Sequence, residues 1–529
     1  MEFCKNYICG MKQLFCIVFC VFPMFFGLSA QPVCSGRPVG LRRAMPRLHD
    51  VVQLPSRQQL AQGNFNGMAA VADAFAVPIA TNMNPCNSGQ WETVADTNVW
   101  RLAISSPGAF SLNLLFVDFR LPQGARLYIY NADTTKVLGA YTSVDNAAVL
   151  PTPPVSGDVL LVEYNEPANA DFQGFFNITQ VAHDFKGAFA DEPTPGACQV
   201  GLTDEQKSVW GNERRAVCRI LIGGTTLCTG TLLATADRSF EPYVLTARHC
   251  IYSEKQAQSS IFYFNYDDYD MPEKQYVAGS TLVAAKDNDE GFLDFALVRL
   301  NGVIPDSYNV YYAGWDVSGA VQNGGTCIHH PQGGPVAIAV DSDSLPVASY
   351  RNFDDNTFFN VAEWNEGATE QGSSGAPLFD ANHRVVGLLA GGDSDCDYPM
   401  NDYFQMLSVC YDRYQFDSLQ LAHWLNPDGL PITAIDGNAG RTSAIGLKTV
   451  AAQVSVYPNP ATTEIRLTAE NEPIAAVGLT DLEGRTVLSE RLDGQKNVVL
   501  NIGRLPSGMY VCNVKFANGN IAKLLIIRN

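Results

Sequence analysis

Gln371-Gly372-Ser373-Ser374-Gly375-Ala376-Pro377 is the stretch on which the reading of this chain turns. Its glycines let the backbone bend tightly around a serine. Two strings upstream go with it: Leu245-Thr246-Ala247-Arg248-His249-Cys250 and Leu293-Asp294-Phe295-Ala296-Leu297. In chain order they supply a histidine, an aspartate and a serine. A serine hydroxyl is a weak nucleophile at neutral pH. It needs a neighbouring base, and the base needs a partner that fixes its tautomer. Each string alone is ambiguous; the three together, within one domain-sized stretch, predict a nucleophile, a base and an orienting carboxylate.

Ser374 is the expected nucleophile, because Gly372, Gly375 and Pro377 frame it in the register Gly-x-Ser-Gly-x-Pro. Ser373 is the rival in the same string. The backbone N–H groups of Gly372 and Ser374 are the expected donors to a developing oxyanion. His249, after the apolar run Tyr243-Val244-Leu245, is the expected base. Asp294 lies between Leu293 and Phe295, where an unpaired carboxylate is costly to bury and a histidine N–H is its natural partner. Asp287 and Asp289 are alternatives, but they stand in a polar turn with Asn288 and Glu290.

The surrounding chain has 529 residues, too many for one hydrophobic core, so several domains are expected. Apolar runs are short, alternate with polar residues and end at turn residues, an all-β pattern. The net charge of −19 argues against nucleic acid as a partner, since phosphate binding needs a basic face. Lys5 and Lys12 precede an apolar stretch from Leu14 to Leu28 that ends at Ser29-Ala30-Gln31. This predicts a signal peptide over 1–30, cleaved after Ala30. Beyond it no segment is long and apolar enough to cross a bilayer as a helix. Export suits the 14 cysteines.

Residues 31–90 are weakly patterned and read as a loose leader. From Trp91 to about Phe185 clear strands alternate with turns, predicting a small β-sandwich within a propeptide over 31–186. A linker rich in Pro, Gly and Ala opens the next region, 187–427, which carries all three strings. A second linker covers 428–449. The tail, 450–529, shows seven short strands and no histidine, a second β-sandwich.

Residues 198–427 resemble the trypsin-fold serine proteases, and among them the bacterial lysyl endopeptidases. Beyond the three strings, the likeness is carried by Gly314-Trp315-Asp316, by Ile328-His329-His330-Pro331-Gln332-Gly333, by Trp364, and by Gly391-Gly392-Asp393-Ser394-Asp395-Cys396. It implies two antiparallel β-barrels with a His249-Asp294-Ser374 triad in the cleft between them. It implies serine endopeptidase activity after lysine, with arginine left open, on protein or peptide substrates. By the same likeness Asp402 lies at the bottom of the primary pocket, where its carboxylate pairs with the substrate cation, and Gly391 and Gly392 form the wall along which substrate backbone runs. The likeness also suggests the disulfides Cys228–Cys250 and Cys198–Cys396. Cys218, Cys327 and Cys410 are left without an assigned pairing. Animal trypsins carry an Asp just before the nucleophile that binds the new N-terminus on activation. This chain has Ser373 there, so that switch is expected to be absent. Arg248 beside His249 is bulkier than the usual small residue.

No cofactor and no metal is expected. Adjacent histidines such as His329 and His330 point apart on a strand, and Asp267-Asp268-Tyr269-Asp270 reads as a solvated turn. The sandwich before the protease region resembles the prodomain of these enzymes, and Lys186-Gly187 offers a lysyl bond for the enzyme's own processing. The tail carries Val456-Tyr457-Pro458-Asn459-Pro460 and Leu505-Pro506-Ser507-Gly508-Met509-Tyr510, and is similar to the sorting domain of type IX secretion. That implies that machinery as a partner, and a Gram-negative bacterium from which the protein is released or on whose surface it stays, as a monomer. Two rival readings remain: a serine protease selective for glutamate or apolar residues, if Asp402 is not in the pocket, and an inactive surface adhesin on a protease scaffold.

Overall fold

A computed structural model describes residues 37–42, 51–62, 74–189, 201–267, 275–286, 292–319, 321, 324–439, 454–469, 472–480, 486–516 and 521–528. Ala30 and Cys198, the acidic run from Asp268 to Asp270, and Asp287 and Asp289 lie outside the described residues. The chain divides into two compact units, residues 1–440 and 441–529. The architecture is all-β with short helices, as the alternation pattern predicts.

The first unit begins with a β-sandwich of two sheets. One places Val51–Gln53 beside Thr97–Ser105, then Val159–Pro167, Arg126–Asn131 and Val137–Tyr141, with Gln90–Val94 on the far side of Thr97–Ser105. The other runs Ala76–Met83, Phe175–Asp184, Ser111–Arg120 and Ala147–Pro151, with Val155–Ser156 also on Ser111–Arg120. Trp100, Phe116, Phe119, Tyr164 and Phe176 fill the space between them edge to face. Burying a large side chain of this kind stabilises the fold by roughly 1.5–3 kcal/mol. The expectation of a loose leader over 31–90 is corrected here. Ala76–Met83 is an edge strand of the sandwich, and Val51–Gln53 pairs in parallel with Ala103–Ser105. Pro78 interrupts the strand pattern in the sequence. An edge position tolerates it, because the missing N–H can face away from the ladder.

The region 187–427 holds two mainly antiparallel sheets, in line with the two antiparallel barrels expected from the resemblance. The first has seven strands in the order Gln275–Ala278, Ile261–Phe264, Val217–Ile222, Thr226–Leu232, Tyr243–Thr246, Ala296–Leu300 and Ser280–Ala285. Its central strand Val217–Ile222 is buried throughout, Arg219 included, because one face fills the barrel and the other meets neighbouring elements. The second sheet is built on Gly325–His329, Pro377–Phe379, Arg384–Gly392, Met400–Met406 and Phe358–Glu363. One apolar cluster includes residues of both barrels, among them Leu245, Phe295, Trp315 and Leu388. Trp315 is fully buried and donates its indole N–H to the Ala234 carbonyl at 2.8 Å. The weak helical pattern from Asp417 to Leu425 resolves into a 3-10 turn, Asp417–Leu419, and a short helix, Ala422–Leu425.

The sandwich docks on the turn between the strands Val217–Ile222 and Thr226–Leu232. Asn113 Nδ2 donates to the Gly224 carbonyl at 2.9 Å and Gln180 Nε2 to the Gly223 carbonyl at 2.7 Å. The start of the predicted linker is packed rather than loose. Phe189 lies 5.2 Å from Phe75, and the Arg219 guanidinium sits 4.0 Å above its ring.

The second unit has a three-stranded and a four-stranded sheet, and its seven strands follow the predicted order from Val454–Tyr457 to Ile521–Arg528. Their inward residues, Ile465, Leu467, Val477, Leu500 and Val514, form its core.

Candidate active site

His249 and Asp294 come from the first barrel. Tyr243–Thr246 is buried along its length and pairs antiparallel with Ala296–Leu300, so Thr246 faces Ala296. This register brings the residues just after one strand beside those just before the other. Asp294 Oδ2 lies 2.7 Å from His249 Nδ1, and Asp294 Oδ1 accepts the His249 backbone N–H at 3.0 Å. The carboxylate thus grips both the ring and the main chain of the histidine. The Asp294 side chain is 2% exposed and that of His249 is 40% exposed, so the imidazole stands between a buried anion and the solvent.

Gln405 was not singled out in the sequence. It is fully buried; its Oε1 accepts the Asp294 backbone N–H at 3.0 Å and its Nε2 donates to the Thr357 carbonyl at 2.8 Å. Arg248 has a place as well: its guanidinium carbon lies 5.5 Å from the centre of the Phe292 ring, and the ring of Phe292 stacks on Phe353 at 4.9 Å.

The serine string folds into a tight loop between the barrels. Gly372 has φ +89°, and a Cβ there would lie 2.8 Å from the Gly333 nitrogen and 3.0 Å from the His330 oxygen, so only glycine fits. The loop is pinned through its carbonyls. Thr229 donates its hydroxyl to Gly372 O at 2.9 Å and its backbone N–H to Ser374 O at 2.8 Å. Gln332 N–H donates to Gln371 O. In a trans peptide N–H and C=O point in opposite directions. The Gly372 N–H is therefore aimed away from the Pro331–Gly333 turn that holds the Gln371 carbonyl.

The two serines face opposite ways. Ser373 is fully buried, with its Oγ 2.7 Å from His329 Nδ1. Ser374 lines a cleft of about 1160 Å³ together with His249, Gly372, Gly391, Gly392 and Asp402. The same cleft is lined by Lys186, Gly187 and Ala188 of the sandwich's C-terminal segment, and by Phe75 and Phe110.

Asp402 is 1% exposed. Its Oδ2 accepts the Trp364 indole N–H and the Thr369 hydroxyl, each at 2.7 Å. Burial pushes its carboxyl up to about 6 from the usual 3.8, and these neutral donors offset only part of the loss of water. Gly392 pairs with Asp402 across neighbouring strands. A Cβ at Gly392 would lie 2.2 Å from Asp402 Oδ1, so the carboxylate can sit here only because that side chain is missing.

Cys228 and Cys250 form a disulfide that ties the strand Thr226–Leu232 to the loop of His249. Cys396 is disulfide-bonded, and its expected partner Cys198 lies outside the described residues. Cys218, Cys327 and Cys410 are all free and buried, as is Cys512 in the tail. Among the described residues, the one histidine–cysteine–acid grouping of metal-ligand size is Cys228, His249 and Cys250, and its two sulfurs are joined to each other. His329 and His330 are buried, and burial drives both well below the usual histidine range, to about 3, so both rings are neutral. No helix among the described residues is long and apolar enough to cross a membrane.

Residues 194–405 match the family model for the lysyl endopeptidase C-terminal domain, and residues 455–528 match that for the secretion system C-terminal sorting domain. A lysyl endopeptidase of Pseudomonas aeruginosa is 28% identical over 295 residues, which is 50% of this chain and 62% of that protein. The match thus spans less than two thirds of the relative's length. Among solved structures, the active form of the Rv3671c protease from M. tuberculosis is 15% identical, covering 41% of this chain and 88% of that one with a TM-score of 0.26. A Glu endopeptidase is 18% identical, covering 36% and 85% with a TM-score of 0.24. The chain is thus an all-β protein that resembles the bacterial lysyl endopeptidases over residues 194–405 and the secretion system C-terminal sorting domain over residues 455–528.

Proposed function

We propose that this chain is a secreted serine endopeptidase that cleaves after lysine, with arginine as the competing side chain. In this reading His249 takes the proton from Ser374 as the hydroxyl attacks the scissile carbonyl. Asp294 fixes the His249 tautomer and stabilises the imidazolium that forms. The N–H groups of Gly372 and Ser374 hold the oxyanion, and water hydrolyses the acyl-enzyme. Asp402 receives the lysine ammonium, and Gly391 and Gly392 run alongside the substrate backbone. The observation that carries the reading is a single cleft lined by Ser374, by a histidine held at 2.7 Å by a buried aspartate, and by a second buried carboxylate with no cation among its partners in the described residues.

The remaining regions take their roles from this. Residues 1–30 are a signal peptide, 31–186 a propeptide, 187–427 the protease, 428–449 a linker and 450–529 the sorting domain. The enzyme, a monomer, leaves a Gram-negative cell through the type IX machinery and is released or held at the surface. Lys186 lines the cleft itself, which favours cutting at Lys186-Gly187 by the enzyme. Normal maturation at Gly187 in Lys186→Gln would sink that step.

A panel of peptides varied at the residue before the scissile bond tests the whole reading, on wild type and Ser374→Ala. Expected is cleavage after lysine, lost in Ser374→Ala. Hydrolysis that persists in Ser374→Ala removes the nucleophile. Equal cutting after Lys and Glu removes Asp402 from its role. No cleavage of any peptide by the matured wild type favours the adhesin reading.

A further inference from the structure

Ser373 and His329 are both fully buried, and the proposed mechanism uses neither. They come from different elements. Ser373 lies in the loop that carries Gly372 and Ser374, and His329 ends the strand Gly325–His329. His329 Nδ1 lies 2.7 Å from Ser373 Oγ, and the same Oγ accepts the Glu370 backbone N–H at 3.2 Å. The Ser373 backbone N–H returns to the Glu370 carbonyl at 3.0 Å. The four-residue turn from Glu370 to Ser373 is therefore closed twice, and its closing hydroxyl is anchored to the second barrel through His329. The two residues inside that turn are Gln371 and Gly372, whose shared peptide supplies an N–H of the proposed oxyanion site.

On this observation we propose that His329 and Ser373 are positioning residues that hold the oxyanion loop in its working shape without a liberated N-terminus. The proposal rests on the serine endopeptidase reading given above. Three physical points support it. A hydroxyl and an imidazole are costly to bury, and each here supplies a hydrogen bond the other needs. The imidazole is neutral, so the anchor adds no uncompensated charge beneath the loop. Thr229 and Gln332 hold the loop through its carbonyls, and Ser373 Oγ adds a buried side-chain tie that closes the turn itself. An oxyanion donor acts only where it is pre-aimed, and removing one costs about 10²- to 10³-fold in kcat. Loosening its support acts in the same direction with a smaller effect. Latency before processing then lies with the segment from Lys186 to Ala188, which lines the cleft, and the loop is already formed.

The test compares wild type, His329→Leu, His329→Asn and Ser373→Ala, each made as the full chain and opened in the 187–197 linker by the same immobilised protease. One lysyl peptide gives kcat and KM separately. A peptide aldehyde, which forms a tetrahedral adduct, is compared with the matching product acid, which does not. Expected for His329→Leu and Ser373→Ala is a fall in kcat of about tenfold or more, KM within about twofold, and aldehyde affinity falling in parallel with kcat while the acid binds as before. Asn keeps a polar atom near the Nδ1 position, so His329→Asn should recover most of kcat. Should His329→Leu fail to fold, Ser373→Ala removes one oxygen only and carries the same expectation. Unchanged kcat in a folded Ser373→Ala overturns the proposal. So does loss of product-acid binding in step with kcat, or Asn no better than Leu. A wild type that cuts no lysyl peptide, or a Ser374→Ala that does, overturns the underlying reading and leaves a different signature, because it appears before any His329 variant is compared.

Discussion

Asp294 and Asp402 are both 1% exposed carboxylates on the walls of the same site, yet they are satisfied in opposite ways. Asp294 belongs to the first barrel, and both its oxygens are taken by one residue of the chain, the ring and backbone of His249. Asp402 belongs to the second barrel and receives neutral donors, Trp364 and Thr369, with no cation among its partners in the described residues. A buried charge needs a partner or its pKa moves until it is neutral. At Asp294 the partner is built in. At Asp402 the rise to about 6 shows that the chain leaves the charge incompletely compensated. On the proposed reading, one wall is closed electrostatically before substrate arrives, and the other is left for a substrate cation to close.

The largest effect should come from breaking the closed wall. Asp294→Asn keeps the shape but favours the wrong His249 tautomer. It should lower kcat by about 10⁴-fold for every peptide, whatever precedes the scissile bond. Asp402→Asn should instead cost lysyl peptides about 10²- to 10³-fold in kcat/KM, the penalty for leaving a buried cation unpaired, and leave peptides with an uncharged residue there near wild type. Steady-state kinetics on a lysyl and a methionyl peptide separates the two. Equal losses on both peptides in Asp402→Asn would erase the distinction between the walls.

pH sharpens the same contrast. The ratio of kcat/KM for lysyl over methionyl peptides cancels the common titration of the triad. Protonating Asp402 removes its attraction for the ammonium, so the ratio should fall about tenfold per pH unit below about 6 and level off above it. In Asp402→Asn it should be flat. Stability runs the other way. A carboxyl raised from 3.8 to about 6 on folding contributes stability that is full below its unfolded value and lost as pH rises through about 6. At neutral pH Asp402→Asn should therefore raise stability, by up to about 3 kcal/mol, while selectivity is lost. Thermal melts at pH 5 and pH 8 check this; the gain should shrink at the lower pH.

These two walls were not equally legible in the sequence. His249, Asp294 and Ser374 stand out because each sits in a short string whose neighbours restrict what it can do. Asp402 stood among Asp393, Asp395 and Asp397 and was singled out only through the resemblance. Its burial depends on Trp364, Thr369 and the missing side chain of Gly392, which lie at three separate places along the chain. The His329–Ser373 contact spans 44 residues and leaves no local pattern. The sandwich strands from Trp91 onward follow their alternation, whereas Ala76–Met83 was hidden by Pro78 and by its place at an edge. The packing of Phe189 under Arg219 was hidden for another reason: a stretch of Pro, Gly and Ala reads as a linker whatever its aromatic residue meets.

Gln405 gives the smallest effect and the finest test of whether the walls are separate. It lies on the strand Met400–Met406 with Asp402, yet its Oε1 bonds the backbone of Asp294. Gln405→Leu fills the same space and strands one buried group, the Asp294 N–H, at about 1–3 kcal/mol of stability, while the Thr357 carbonyl keeps the Met406 N–H at 2.9 Å. If Gln405 serves only the closed wall, kcat should fall about tenfold on lysyl and methionyl peptides alike, through looser placement of His249. The lysine preference should then stay where it is. A change in that preference would mean that the strand transmits a shift from Asp294 to Asp402, and that selectivity and catalysis share one support.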